Sequence, residues 1–255
     1  MNSSHSSRLL LVLVALVVSA GVVAGVSVSS EQSPGDAEVG ERIEARFTLT
    51  ELYQDPGTEQ WQLRGETELS NVTWTFQLVD QAGNVQATNS DDGQTANQSV
   101  SLAEGTDEVR VTIVGQTPAI ENFTYDPAPS FLLAEFTHAR EGGASTTLET
   151  YEARHYTAES QPARDAIESA RDAIDAAGGN AQAEESLGSA ISAYEGENFE
   201  NAVRNAERAE REATQAQQTA QRNQLILYAV AAIVVLAVLV GLVLWWRSRG
   251  PTSRL

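Results

Sequence analysis

The sequence predicts an α+β chain: an antiparallel β-sandwich with a long β-hairpin, then a helical stalk, then a C-terminal membrane helix. Three observations carry that expectation. Apolar and polar residues alternate from Ile43 to Ile113, the period of strands with one buried face. From Ser160 the composition turns to Ala, Glu, Arg, Gln and Asp, and the apolar period becomes helical. Leu225–Trp246 is an uncharged apolar run of 22 residues. At about 1.5 Å per residue it is long enough for a hydrocarbon core of about 30 Å.

The first element in chain order is residues 1–28, expected as a signal peptide or an N-terminal membrane anchor. Arg8 precedes a dense apolar stretch from Leu9 to Val18, and small residues follow from Ser19. Val18-Ser19-Ala20 and Val22-Val23-Ala24 both resemble small-residue cleavage sites. The apolar stretch to Val28 is also long enough to span a bilayer uncleaved. Both outcomes stay open at this stage. Ser29–Gly40 is polar and reads as a linker.

Residues 41–125 form the expected β-sandwich. Ile43, Ala45, Phe47 and Leu49 alternate with Arg42, Glu44, Arg46 and Thr48. After an Asp55-Pro56-Gly57 turn come Trp61, Leu63, Gly65, Thr67 and Leu69, then Val72, Trp74, Phe76 and Leu78, and later Val109, Val111 and Ile113. Ala82-Gly83-Asn84 and Asp91-Asp92-Gly93 carry the residues that hairpin turns favour. The unit resembles an immunoglobulin- or fibronectin-like module in size and strand spacing, without that fold's Cys pair. Residues 126–157 follow a Pro-rich break and predict a hairpin, Phe131–Arg140 and Thr146–Thr157 around Glu141-Gly142-Gly143-Ala144. It either extends the sandwich or forms a neck beneath it.

Residues 158–223 predict a three-helix, coiled-coil-like stalk. Ala163, Ile167, Ala170 and Ile174 share one helical face, and Gly178-Gly179-Asn180 ends it. Leu187, Ala190, Ile191 and Tyr194 mark a second helix that meets Gly196. Phe199, Ala202, Val203, Ala206, Ala209 and Ala213 mark a third, with Glu200–Arg204 and Glu207–Arg211 pairs on its solvated side. Residues 190–209, with Tyr194, Gly196, Phe199, Ala202, Ala206 and Ala209, loosely resemble a tetratricopeptide-like helix pair. A single pair falls short of the roughly three repeats that a solenoid groove needs. The third helix meets the membrane run without a break. Ala237 and Gly241 within that run form a small-xxx-small pair at which two helices can meet, so a homo-oligomer through the helical region is an expected option.

Charge sets the expected orientation. All 35 acidic residues lie within 31–222, where twelve Arg leave a formal charge of −23. The flanks carry only Arg8, Arg247, Arg249 and Arg254. Cytoplasmic flanks favour Arg, so residues 247–255 are expected inside the cell and the acidic middle outside. The expected protein is single-pass, or two-pass if residues 1–28 stay uncleaved. All 16 basic residues are Arg, with no Lys, and the pI is near 4.4. On these features the chain resembles the uncharacterised membrane-anchored surface proteins of extreme halophiles. That resemblance implies carboxylates that keep the surface hydrated while dense salt screens their repulsion.

The same composition excludes functions. Nucleic acid is disfavoured, because phosphate binding needs a basic patch. The absence of Cys removes disulfides, thiolate metal sites, Cys nucleophiles and a lipid-modified Cys. His138 and His155 fall far out of register in the expected hairpin, which speaks against a shared metal site. Asp91-Asp92 and Asp107-Glu108 carry oxygen ligands but lack the spacing of a calcium loop. Hydrolase, metalloprotease, phosphate-loop and dinucleotide signatures are missing. No catalytic residue, cofactor or metal is therefore expected, and the chain is not expected to be an enzyme. Asn71, Asn97 and Asn122 each begin an N-glycosylation sequon. The expectation is a non-catalytic binding, adhesion or envelope role, with the membrane and an unknown protein or envelope component as partners. The alternative is an accessory subunit of a membrane transport, secretion or protease complex, acting through its membrane-proximal helices.

Overall fold

The computed structural model describes residues 25–54, 59–140 and 143–248. Most of the expected leader (1–24), the Asp55-Pro56-Gly57 turn, Glu141-Gly142 and residues 249–255 lie outside the described residues. The chain is α+β, with two five-stranded sheets followed by three helices, the last of them long.

The strands are β1 (Ser27–Gln32), β2 (Asp36–Glu38), β3 (Arg42–Thr50), β4 (Gln60–Glu66) and β5 (Ser70–Val79), then β6 (Val85–Asp92), β7 (Thr95–Ser101), β8 (Glu108–Gln116), β9 (Ser130–Ala139) and β10 (Ser145–Tyr156). One sheet runs β1-β3-β8-β5-β6 and the other β2-β10-β9-β4-β7. All pairs are antiparallel except the short parallel β2–β10 pair. The alternation expected for Ile43 to Leu49 places those four side chains inside, and Trp61, Leu63 and Gly65 follow the same rule on the opposing sheet. The two sheets face each other across one core. Phe47 meets Phe136 edge-on with centroids 5.0 Å apart, and Trp74 reaches the same ring at 6.5 Å. Gly65 is required there, because a Cβ at that position would stand 2.6 Å from the Trp74 ring.

Three expectations change, and one alternative left open is decided. The stretch 29–40 is not a bare linker: it holds most of β1 and all of β2, and Val28, placed in the apolar segment, is a β1 residue packed partly against the core. Both strands lie at sheet edges. β1 pairs with the free side of β3, Ser27 opposite Thr50, and β2 is tied to β10 by an Asp36–Arg154 ion pair of 2.9 Å. Residues 126–157 are not a separate neck. β9 pairs with β4, Gly65 opposite Phe136, and supplies Phe131, Leu133 and Phe136 to the shared core. Asp91-Asp92-Gly93 is not a hairpin within one sheet but the crossing from β6 to β7 in the other sheet. Gly93 sits there at φ 111° and its carbonyl accepts the Trp74 indole N–H at 2.9 Å.

The helices are α1 (Ser160–Ala176), α2 (Ala181–Glu195) and α3 (Phe199–Ser248). Thr157 and Ser160 exchange backbone and hydroxyl hydrogen bonds that close the start of α1. Gly178 at φ 78° ends it, and Asn180 caps α2 by accepting the Ala183 N–H at 2.9 Å. The expected faces pack together: Ala163, Ile167, Ala170 and Ile174 of α1, Ala190 and Tyr194 of α2, and Ala202 to Ala213 of α3. This second core also takes in Phe123 and Tyr125 from the β8–β9 connection. Among the described residues no strand side chain belongs to it.

Candidate functional site

The joint between sheets and helices, and a cleft beside it, both combine shape with titratable side chains. At the joint, Phe123 lies 5.0 Å from the Phe199 ring and Tyr125 6.1 Å from the Tyr194 ring. Arg164 is buried among them. Its Nη2 donates to the Tyr125 carbonyl at 2.6 Å and to the Thr124 carbonyl at 3.3 Å. Its guanidinium stands 4.7 Å from the Tyr125 ring and 5.5 Å from the Tyr194 ring, while Arg171 covers the Tyr125 ring at 5.0 Å. Burial raises the Tyr125 pKa, with Arg171 opposing it. A guanidinium whose Nη2 is shared by two carbonyls and whose plane lies over two rings is a structural clasp. Nothing in the sequence distinguished Arg164 from the solvated Arg of α1. The only available signal was its place four residues after Ser160, on the Ala163–Ile167 side.

The cleft has a volume of about 390 Å³ and lies between the sheet carrying β9 and β10 and the β8–β9 connection. Glu68, Gln94, Glu121 and His155 are its functional groups, with Asn122 at its rim. His155 Nδ1 sits 3.3 Å from the Pro118 carbonyl. Burial lowers the His155 pKa, against the opposing pull of that carbonyl and of Glu68. Glu68 accepts the Leu132 backbone N–H at 2.6 Å. Glu68 and His155 thus hold the backbone in place, and no nucleophile–base pair is formed among the described residues here.

The remaining candidates are scattered. His138 is buried against Trp61, centroids 4.4 Å apart, whereas His155 meets the Phe131 ring at a tilt, 5.4 Å away. His138 pairs with Thr146, and His155 lies near the other end of β10. The structure does not bring the two together. Among the described residues no cluster of three or more metal-ligating side chains is present. Asp91 and Asp92 are exposed, and Asp92 accepts from Thr73 at 2.9 Å.

All three sequon asparagines are exposed. Asn71 opens β5 at φ 50° and donates to Gln116 Oε1 at 2.7 Å. Asn97 lies on the outward side of edge strand β7, opposite Arg64, and Asn122 is in the β8–β9 connection.

α3 supplies the remaining feature. Through Ala213 it is packed against α1 and α2, and Glu212 closes that end of the bundle. Desolvation opposes ionisation of Glu212, yet hydrogen bonds from Ser186, Arg208 and Gln182 outweigh it and hold the carboxyl below its ordinary value. From Gln218 to Trp245 every described side chain is exposed. α3 is one helix long and apolar enough to cross a membrane.

Comparison with known proteins adds little. No protein family and no curated protein matches the chain. Among solved structures, the sporulation control protein Spo0M from Bacillus subtilis superposes with a TM-score of 0.30 at 8% identity, over 56% of this chain and 54% of that one. The SrpA adhesin from Streptococcus sanguinis gives 0.23 at 16% identity, over 52% and 57%. A CARDB domain from Pyrococcus furiosus in complex with di-metal ions gives 0.23 at 9%, over 52% and 86%. The chain thus spans about half the length of the first two. Superpositions this loose carry no functional assignment.

Proposed function

We propose that this chain is a non-catalytic, membrane-anchored protein that displays a β-sandwich outside the cell of a salt-adapted organism, in an adhesion, envelope or partner-binding role. One observation carries the proposal: α3 runs unbroken from the bundle core at Ala202 into an uncharged apolar stretch whose described side chains are exposed to its end. Such a surface needs a lipid environment, because contiguous exposed apolar area of this size is unstable in water. The 26 residues from Phe199 to Gln224 then form a spacer of about 39 Å. The net-acidic middle, which holds every Asp and Glu, and the Arg-only flanks support an external sandwich. The immunoglobulin- or fibronectin-like strand spacing and the three exposed sequons agree with a displayed glycoprotein.

The test is recovery of the protein from detergent-solubilised membranes in high salt after cross-linking of whole cells. The proposal expects envelope or neighbouring-cell proteins, linked through the sandwich. A stoichiometric integral-membrane partner that survives deletion of residues 25–157 would replace it with the accessory-subunit function.

A further inference from the structure

We propose that the cleft beside the joint takes the guanidinium of an arginine side chain presented by a protein partner. The inference rests on the reading of the sandwich as a displayed, partner-binding domain.

The cleft gathers side chains from distant parts of the chain. Glu68 follows β4, Gln94 joins β6 to β7, Glu121 belongs to the β8–β9 connection, and His155 stands next to the end of β10. Their polar atoms divide into those tied to the backbone and those left open. Glu68 Oε2 accepts the Leu132 N–H at 2.6 Å, and Oε1 has no hydrogen-bond partner among the described residues. Gln94 Nε2 donates to the Glu68 and Leu69 carbonyls at 3.3 and 3.2 Å, which leaves its Oε1 as an acceptor. The Pro118 carbonyl, 3.3 Å from His155 Nδ1, can only accept, so the neutral ring carries its proton on Nδ1 and a lone pair on Nε2. His155 is only 7% exposed. Its Nε2 is nonetheless neither hydrogen-bonded among the described residues nor sealed from solvent, and the opening that the ring lines is the cleft. Burial holds the His155 pKa down, which favours the neutral ring. The backbone ties fix these acceptors before a ligand arrives, so binding costs little side-chain entropy.

Charge and shape then select the ligand. Glu68 and Glu121 are carboxylates, and no Arg lines the cleft among the described residues, so an anion is repelled. The open atoms of Glu68, Gln94 and His155 are all acceptors, so the ligand must donate. No three ligating side chains converge among the described residues, which disfavours a metal ion. A guanidinium brings five N–H donors in one plane on an aliphatic stem. Pro118, Pro129 and Phe131 give that stem an apolar wall. The volume of about 390 Å³ lies at the small end of ligand pockets, about 300–1,000 Å³, and has room for one such side chain with its backbone. An ammonium matches the charge but is more strongly hydrated, and dense salt screens its attraction. Every basic residue of this chain is Arg, so a partner of the same composition offers guanidinium and no ammonium.

The experiment is an NMR titration of the full chain in detergent and molar KCl, with its three histidines ring-labelled. His155→Gln identifies the His155 signal by its loss. The probes are N-acetyl-arginine N-methylamide, the corresponding lysine compound and free arginine. Capped arginine should shift the His155 signal saturably, half-complete at a concentration on the order of millimolar, with His138 unmoved. Capped lysine should bind about five-fold more weakly or worse. Glu68→Gln keeps an acceptor for the Leu132 N–H but loses the charge, and should weaken capped arginine about five-fold. A His155 signal that stays still, or an affinity that Glu68→Gln leaves intact, would overturn the site. Equal binding of capped lysine would overturn the guanidinium assignment. Free arginine binding as tightly as the capped form would overturn the protein partner in favour of a small molecule. Any of these failures leaves the displayed-sandwich reading standing, because whole-cell cross-linking decides that reading separately.

Discussion

Replacing Arg164 by Ala should loosen the joint between the sheets and the helices while leaving the sheets intact. The guanidinium is buried, donates to two carbonyls at 2.6 and 3.3 Å, and covers two tyrosine rings at 4.7 and 5.5 Å. Hydrogen bonds from a charged group contribute about 1.5–3 kcal/mol, and a desolvated cation–π contact about 2 kcal/mol. These terms overlap, so the expected loss is about 2–4 kcal/mol. The second core is mostly alanine, and it has little other apolar area to resist that loss. A loss of that size in a domain of this length lowers Tm by on the order of 10 °C or more. The assay is thermal unfolding of residues 25–224 in molar salt, followed at two wavelengths. Trp61 and Trp74, both in the sheets, report the first core by fluorescence, and far-UV circular dichroism reports the helices. Arg164→Ala should shift the helical transition and leave the Trp transition within about 0.5 kcal/mol. Arg164→Lys should recover only part of the loss, since an ammonium lacks the planar fork. An unshifted helical transition, or equal shifts of both, would refute the description of Arg164 as a clasp within a separate core.

Three further outcomes follow from charge, titration and packing. The formal charge of −23 over residues 31–222 should make the fragment less stable as salt falls from molar to about 0.1 M, and a melting temperature unchanged or higher at low salt would contradict this. Burial lowers the His155 pKa, so the unfolded chain binds the proton first as pH falls below 6.5. The neutral ring's contribution is complete above pH 6.5 and is lost as pH falls toward the lower folded value. His155→Gln should flatten the melting-temperature profile in that window, and an unchanged slope would assign the loss to other groups. Gly65→Ala drives a methyl into the Trp74 ring, and it should cost about 1–3 kcal/mol in the Trp transition, with a value near zero showing that the ring moves freely.

The elements with a buried face were legible because periodicity records burial. Ile43 to Leu49, Trp61 to Gly65 and the Ala stripe of α3 were each read from spacing, and Gly178, Asn180 and Gly196 marked the helix ends. The edge strands were not legible for the converse reason. β1 and β6 expose nearly all their side chains, so no period-two signal survives, and the polar stretch 29–40 looked like linker. Sheet assignment was also hidden, since turn residues at Asp91-Asp92-Gly93 serve a hairpin and a crossing between sheets alike. The joint was missed because Phe123 and Tyr125 lie in a Pro-rich connection within the β half yet pack in the helical core. The boundary between the two cores therefore does not follow the chain. A fragment ending at residue 157 would keep its sheet core but strip those two aromatics of their partners.

The central claim is that α3 holds the sandwich outside the membrane with the C-terminal tail inside. The chain has no native cysteine, so single cysteines can be placed on a silent background. Ser90→Cys sits on exposed β6 and Ser253→Cys in the tail beyond α3. A membrane-impermeant maleimide applied to intact cells should label Ser90→Cys, and should label Ser253→Cys only after lysis. Labelling of Ser253→Cys on intact cells with Ser90→Cys protected would contradict the account.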